Sequence, residues 1–189
     1  NDFFKLFLDP TMMYSCARFE QGDTLEAAQM RKVHSILDKA DVRAGDHVLE
    51  IGSGWGTLAV EAVKRGARIT TLTISQQQYD YVKARFEREK IMGHAEVLLR
   101  DYRHAQGLYD KIVSIEMIEA VGHEFLGRFF STCERLLKPH GMIVIQGITI
   151  PDQRYDAYRK GCDWIQKHIF PGAVLPSLTS MCGALTRNT

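Results

Sequence analysis

Three glycines at alternate positions, Gly52, Gly54 and Gly56, follow directly on the apolar run Val48-Leu49-Glu50-Ile51. A short apolar run rich in β-branched residues reads as a buried strand over residues 47–51. Residues 57–63, Thr-Leu-Ala-Val-Glu-Ala-Val, read as a helix. The glycines therefore join a strand end to a helix start, where a backbone without Cβ atoms can turn sharply and approach a ligand. Open α/β sheets bind their ligands at such strand ends. The spacing is G-x-G-x-G with Glu50 before it, not the G-x-G-x-x-G of dinucleotide sites. The next strand ends in Thr73-Ile74-Ser75 with no carboxylate to hold a ribose. A nicotinamide dinucleotide is a poor fit.

The rest of the chain extends the pattern. Asp23, with Glu26 three residues on, reads as the cap of a first helix, whose apolar face carries Leu25, Ala28, Val33, Ile36, Leu37 and Ala40. Strands are expected at 47–51, 68–72, 95–99, 111–115 and 142–149. Helices are expected between them at 57–63, 75–90 and 124–137, and after them at 154–169. Lys138-Pro139-His140-Gly141 reads as the turn into the last strand. This alternation implies an α/β fold, an open parallel sheet with helices on both faces. At 189 residues the chain can bury a substantial core. A net charge of +1 without like-charge blocks argues against a nucleic-acid partner. Cys16, Cys133, Cys162 and Cys182 form no C-x-x-C pair, which speaks against a metal site. With no export signal, such thiols point to a reducing cytoplasm. The apolar start Phe3-Phe4-Lys5-Leu6-Phe7-Leu8 reads as packed against the domain, with a membrane surface as the alternative.

The Gly52–Gly56 pattern resembles the first motif of class I methyltransferases that use S-adenosylmethionine (SAM). Other segments narrow the resemblance: Tyr14-Ser15-Cys16-Ala17-Arg18-Phe19, Thr73-Ile74-Ser75-Gln76-Gln77-Gln78 and Asp101-Tyr102-Arg103. Further ones are Ser114-Ile115-Glu116-Met117-Ile118-Glu119-Ala120-Val121-Gly122, Gln146-Gly147-Ile148-Thr149-Ile150-Pro151 and Ile169-Phe170-Pro171-Gly172. Together, over residues 14–181, the chain resembles the cyclopropane fatty acid synthase family.

That resemblance implies methyl transfer from SAM to a cis double bond of a phospholipid acyl chain at a membrane surface, followed by ring closure. A bound bicarbonate serves as base. Cys16, Glu119 and Gln146 match its niche, although the best-known members carry His where this chain has Gln146. Tyr14 and Ser15 match contacts to the methionine end of the cofactor, and Glu50 a contact to its amino group. Gly52, Ser53, Gly54, Trp55 and Gly56 match the loop that receives it. Thr73, Ile74 and Gln78 match ribose contacts, and Asp101 and Tyr102 adenine contacts. Other roles stay open for some of these: a turn-capping carboxylate for Glu119, a small buried thiol for Cys16, a capping box with Ser75 for Gln78. Arg103 reads as a solvated surface charge. Trp164, Ile165, Ile169, Phe170 and Leu175 read as core, with a lipid-facing role as the alternative.

The implied organisation is an N-terminal segment over the cofactor (1–22), a SAM-binding core (23–150) and a partial substrate side (151–189). The family's C-terminal antiparallel strand pair is missing, so the chain, which also starts at Asn1 rather than Met, is expected to be a fragment with Ile143-Val144-Ile145 on an uncovered sheet edge. Competing readings are a methyl-branched or methylene product, methylation of a small amine, and a SAM-binding domain without catalysis.

Overall fold

The computed structural model describes residues 2–189. They gather into two compact units, Asn1–Val113 with Leu137–Val144, and Ser114–Leu136 with Ile145–Thr189.

The first unit is built on a five-stranded sheet in the order β3-β2-β1-β4-β5. Its strands are β1 (His47–Ile51), β2 (Arg68–Thr73), β3 (Ala95–Leu99), β4 (Tyr109–Ile115) and β5 (Leu137–Gln146), and the last two residues of β4 and of β5 belong to the second unit. β1 runs parallel to β2, and β2 to β3, with Ile51 opposite Leu72 and Thr73 opposite Leu99. In β1, Val48, Leu49, Glu50 and Ile51 are all buried, as expected of a parallel strand covered on both faces. Helices α1 (Leu25–Lys39), α2 (Thr57–Lys64) and α3 (Gln76–Arg88) complete this unit, α2 and α3 against the sheet and α1 against α2. The cap of α1 is Thr24, whose hydroxyl accepts from Ala27 N at 3.2 Å, and not Asp23. Asp23 is taken by Arg31 and by Glu20 N, so its carboxylate closes the preceding turn instead.

The second unit holds α4 (Leu126–Leu136), α5 (Asp152–Tyr158), α6 (Trp164–His168) and α7 (Leu178–Asn188), with α7 packed on α4 and α5. The single helix expected over 154–169 is two. The chain turns at residues 159–163, and Asp163 starts α6 afresh through a capping box with Gln166. Trp164, Ile165, Ile169 and Phe170 are not core: they are exposed, Trp164 by 66%. Trp164 keeps a ring contact with His168 at 5.3 Å.

β5 also departs from expectation. It begins at Leu137 and stops at Gln146, taking in the stretch read as a turn. Pro139 is tolerated because β5 is an edge strand, which need not use every N–H, and His140 absorbs the bend with φ +65°. Ile143, Val144 and Ile145 are half-buried on that edge. Among the described residues, no helix is long and apolar enough to cross a membrane.

Candidate functional site

In the first unit the C-terminal ends of β1, β2 and β3 lie side by side, bringing the 52–56, 73–78 and 100–102 segments to one edge of the sheet. Gly52 N and Ser53 N donate to Leu72 O at 3.1 and 2.8 Å, which pins the glycine loop to β2. The glycines then divide their work. Gly56 caps α2 at φ +86°, and a Cβ there would lie 3.2 Å from Val82 and 3.3 Å from Phe86, so this position serves packing. Gly54, at φ +48°, has nothing within 4 Å of where its Cβ would be: it faces open space.

Beneath the loop, Glu50 is 4% exposed and its Oε2 has no hydrogen-bond partner. Burial pushes its carboxyl up to about 8, and the nearby Thr71 hydroxyl and Lys32 charge pull against that rise. Ser15 accepts from Lys32 Nζ at 2.5 Å through its hydroxyl and from Gln29 Nε2 at 2.8 Å through its carbonyl. Tyr14 is half exposed, its ring 4.9 Å from Phe4, which also lies 5.1 Å from the buried Trp55. The N-terminal segment thus packs on residues flanking the loop, while Phe3, Leu6 and Phe7 stay exposed.

At the end of β2, Thr73 donates to Gln78 Oε1 at 2.7 Å and accepts from Ser75 N at 3.1 Å. Ser75 caps α3 by accepting from Gln78 N, but the Gln78 side chain goes to Thr73, so only half of a capping box forms. Ile74 is 79% exposed. Asp101 takes Arg103 N and the Arg103 guanidinium, with Nη2 to Oδ2 at 2.6 Å. Arg103 is exposed, as expected of a surface charge, and it is also ion-paired with Asp101, whose carboxyl it holds below its ordinary range. Tyr102 is half-buried beside it. Cys16, also in this unit, is exposed, its Sγ 3.6 Å from Ala17 O, so it is not a buried thiol.

The second unit brings Glu119 and Gln146 into one polar niche. Glu119 is 8% exposed; Oε1 accepts from Ile148 N at 2.5 Å, and Oε2 is buried without a hydrogen-bond partner. Burial raises its carboxyl above the ordinary range, and the Glu116 charge adds to the rise. Gln146 Nε2 donates to Glu116 Oε1 at 2.8 Å, and Val174 N donates to Glu119 O at 2.9 Å. A Cβ on Gly147 would sit 2.9 Å from Ile118 and 3.5 Å from Glu119 Oε1, so the niche needs a glycine there. Glu116, Gly147 and the Ile148 N–H were not foreseen as parts of it.

The model of the mycolic acid cyclopropane synthetase family matches residues 1–188. The chain belongs to that family. Among its relatives is the tuberculostearic acid methyltransferase UfaA1 of Mycobacterium tuberculosis, 44% identical over all of this chain and 46% of its own length. Another, the cyclopropane-fatty-acyl-phospholipid synthase of Escherichia coli K12, is 37% identical over 94% of the chain and 45% of its own length. The chain thus spans about half the length of these curated relatives. The solved mycolic acid cyclopropane synthase CmaA1, complexed with SAH and CTAB, superposes with TM-score 0.90 at 34% identity, over 99% of this chain and 70% of that one. Coclaurine N-methyltransferase, at 22% identity and TM-score 0.82, shares the fold. The cyclopropane synthetase family member described here therefore has the class I methyltransferase fold, a parallel five-stranded sheet flanked by helices.

Proposed function

We propose that the chain is the cofactor-binding and proton-handling part of a SAM-dependent methyltransferase acting on a cis double bond of a phospholipid acyl chain at a membrane surface. Residues 1–22 close over the cofactor, 23–150 hold it and 151–189 form part of the substrate side. The residues at the strand ends fit SAM. Glu50, with its unpartnered oxygen, would take the ammonium, and Gly54 leaves the space a ligand needs. Ser15 and Tyr14 would meet the methionine end, Thr73, Ile74 and Gln78 the ribose. Asp101 and Tyr102 would meet the adenine, with Arg103 already holding the Asp101 carboxylate in place. SAM supplies a methyl group activated on a sulfonium.

The observation that carries the lipid reading is Glu119. An alkene is a weak nucleophile, so catalysis must come from positioning, exclusion of water and removal of one proton after methyl transfer. A buried carboxyl with one oxygen fixed by the Ile148 N–H, the other without a hydrogen bond, and its titration raised by burial can exchange a proton with a small anion. Bicarbonate fits that partner only while Glu119 carries its proton, because Glu116 stands nearby as a second carboxylate. Gln146 cannot hold a proton; its amide orients Glu116 instead. A second reading, methyl branching without ring closure, is favoured by the 44% identity to a tuberculostearic acid methyltransferase.

Calorimetric titration with S-adenosylhomocysteine (SAH) tests the cofactor. Saturable binding is expected, with none to NAD, and Gly54→Val should abolish it by filling the open space at a positive φ. Binding of NAD in place of SAH would overturn the assignment. For the chemistry, Glu119→Gln should cut methylation of phospholipid vesicles about 10²–10⁴-fold, the range for loss of a proton-transfer group. An amine acceptor needs no such niche. Retention of lipid activity in the variant, or turnover of small amines alone, would sink the lipid reading.

A further inference from the structure

Helix α1 turns two polar side chains into the interior of the first unit. Gln29 is 2% exposed and Lys32 4% exposed, although both residue types ordinarily stay in water. They sit three apart, so they share a helix face. Both reach the same short segment: Gln29 Nε2 donates to Met13 O at 3.3 Å and Ser15 O at 2.8 Å, and Lys32 Nζ donates to the Ser15 hydroxyl at 2.5 Å. A buried ammonium is costly unless it is paired and hydrogen-bonded. Lys32 also acts electrostatically on Glu50, pulling against the rise that burial gives its carboxyl, while Glu50 Oε2 itself lacks a hydrogen bond. The interior thus holds a chain of groups running from Glu50 past Lys32 to Ser15, two residue types matched to the two ends of an α-amino acid: a carboxylate for an ammonium, and a hydroxyl polarised by a cation for a carboxylate.

We propose that Lys32 is a positioning residue for the amino-acid end of the cofactor, orienting the Ser15 hydroxyl, with Gln29 clamping the same segment. This rests on the cofactor reading above. The groups acting on Glu50 are Lys32 from α1 and the uncharged Thr71 hydroxyl from β2. Lys32 is thus the cation that draws Glu50 towards ionisation. Removing it moves Glu50's titration to higher pH, and every unit of that move leaves tenfold less ionised Glu50 at neutral pH.

The experiment is SAH titration of wild type, Lys32→Met and Lys32→Arg at pH 6, 7, 8 and 9, with circular dichroism to confirm folding. The affinity ratio of variant to wild type cancels the ligand's own titration. For Lys32→Met we expect a loss of about tenfold or more at pH 7 that narrows steadily towards pH 9. Lys32→Arg should restore the wild-type profile. Should the methionine variant not fold, Lys32→Gln, which keeps a donor for Ser15 but no charge, carries the same pH comparison. A ratio that is flat with pH, or equal affinities, overturns the role given to Lys32. Wild type that binds no SAH at any pH sinks the cofactor assignment instead, a distinct result.

Discussion

Glu50→Gln should stabilise the ligand-free protein at alkaline pH while destroying its affinity for SAH. The carboxyl is wholly buried and titrates at about 8 in place of 4.5. Below 4.5 it is neutral whether the chain is folded or not, and it contributes nothing. Between 4.5 and about 8 the unfolded chain gains by ionising while the folded protein holds the proton, so stability falls as pH rises. At about 1.4 kcal/mol per unit, the accumulated cost above pH 8 is on the order of 3–5 kcal/mol. Glutamine has the same shape and no titration. Urea unfolding at pH 5, 7 and 9 should show the variant's advantage opening across that window. Parallel profiles for the two proteins would show that Glu50 does not titrate as buried. SAH affinity should move the opposite way, since glutamine offers no charge to an ammonium.

Phe86→Ala should be the most damaging single truncation in the first unit. The ring is fully buried on α3 and lies, with Val82, directly against Gly56 at the start of α2. Removing it leaves a cavity that surrounding structure fills only in part, and substitutions of this kind cost about 3–5 kcal/mol. For a chain of this size that lowers Tm by roughly 10 °C, at about 2–4 °C per kcal/mol. Because Gly56 belongs to the loop that also contains Gly54, a weaker grip on SAH should accompany the loss. Phe86→Leu, which keeps most of the volume, should cost far less. A drop of only a degree or two in the alanine variant would contradict the packing described for Gly56.

The first three strands were readable because each is a short stretch of mainly apolar and β-branched residues between helical segments, and their bounds came out within a residue. β5 was not, since Lys138-Pro139-His140-Gly141 has the composition of a turn; only its place at the sheet edge lets a proline sit inside a strand. The split between α5 and α6 turned on Asp163 choosing Gln166 as a capping partner, a competition that helical periodicity does not register. At the site, the glycine loop and its neighbours were legible from spacing and resemblance, but their division of labour was not. Whether a glycine serves packing, like Gly56, or leaves space, like Gly54, depends on what lies across from it. Lys32 was missed for a related reason. Lysine is ordinarily read as solvated, yet Gln29, Lys32 and Ile36 fall on one buried stripe of α1, and that spacing was the available signal.

The two tryptophans have a use that follows from where they lie. Trp55 is in the first unit, 4% exposed beside Phe4, and Trp164 is in the second, 66% exposed. Each unit therefore carries a single tryptophan, which excitation at the red edge selects over the tyrosines, and the two differ sharply in solvent contact. Light emitted at short wavelength and resistant to an ionic quencher such as iodide originates from the glycine-loop side. The red-shifted, quenchable fraction originates from α6. A stopped-flow trace resolved in this way watches the two units of the unmodified protein separately, without a label.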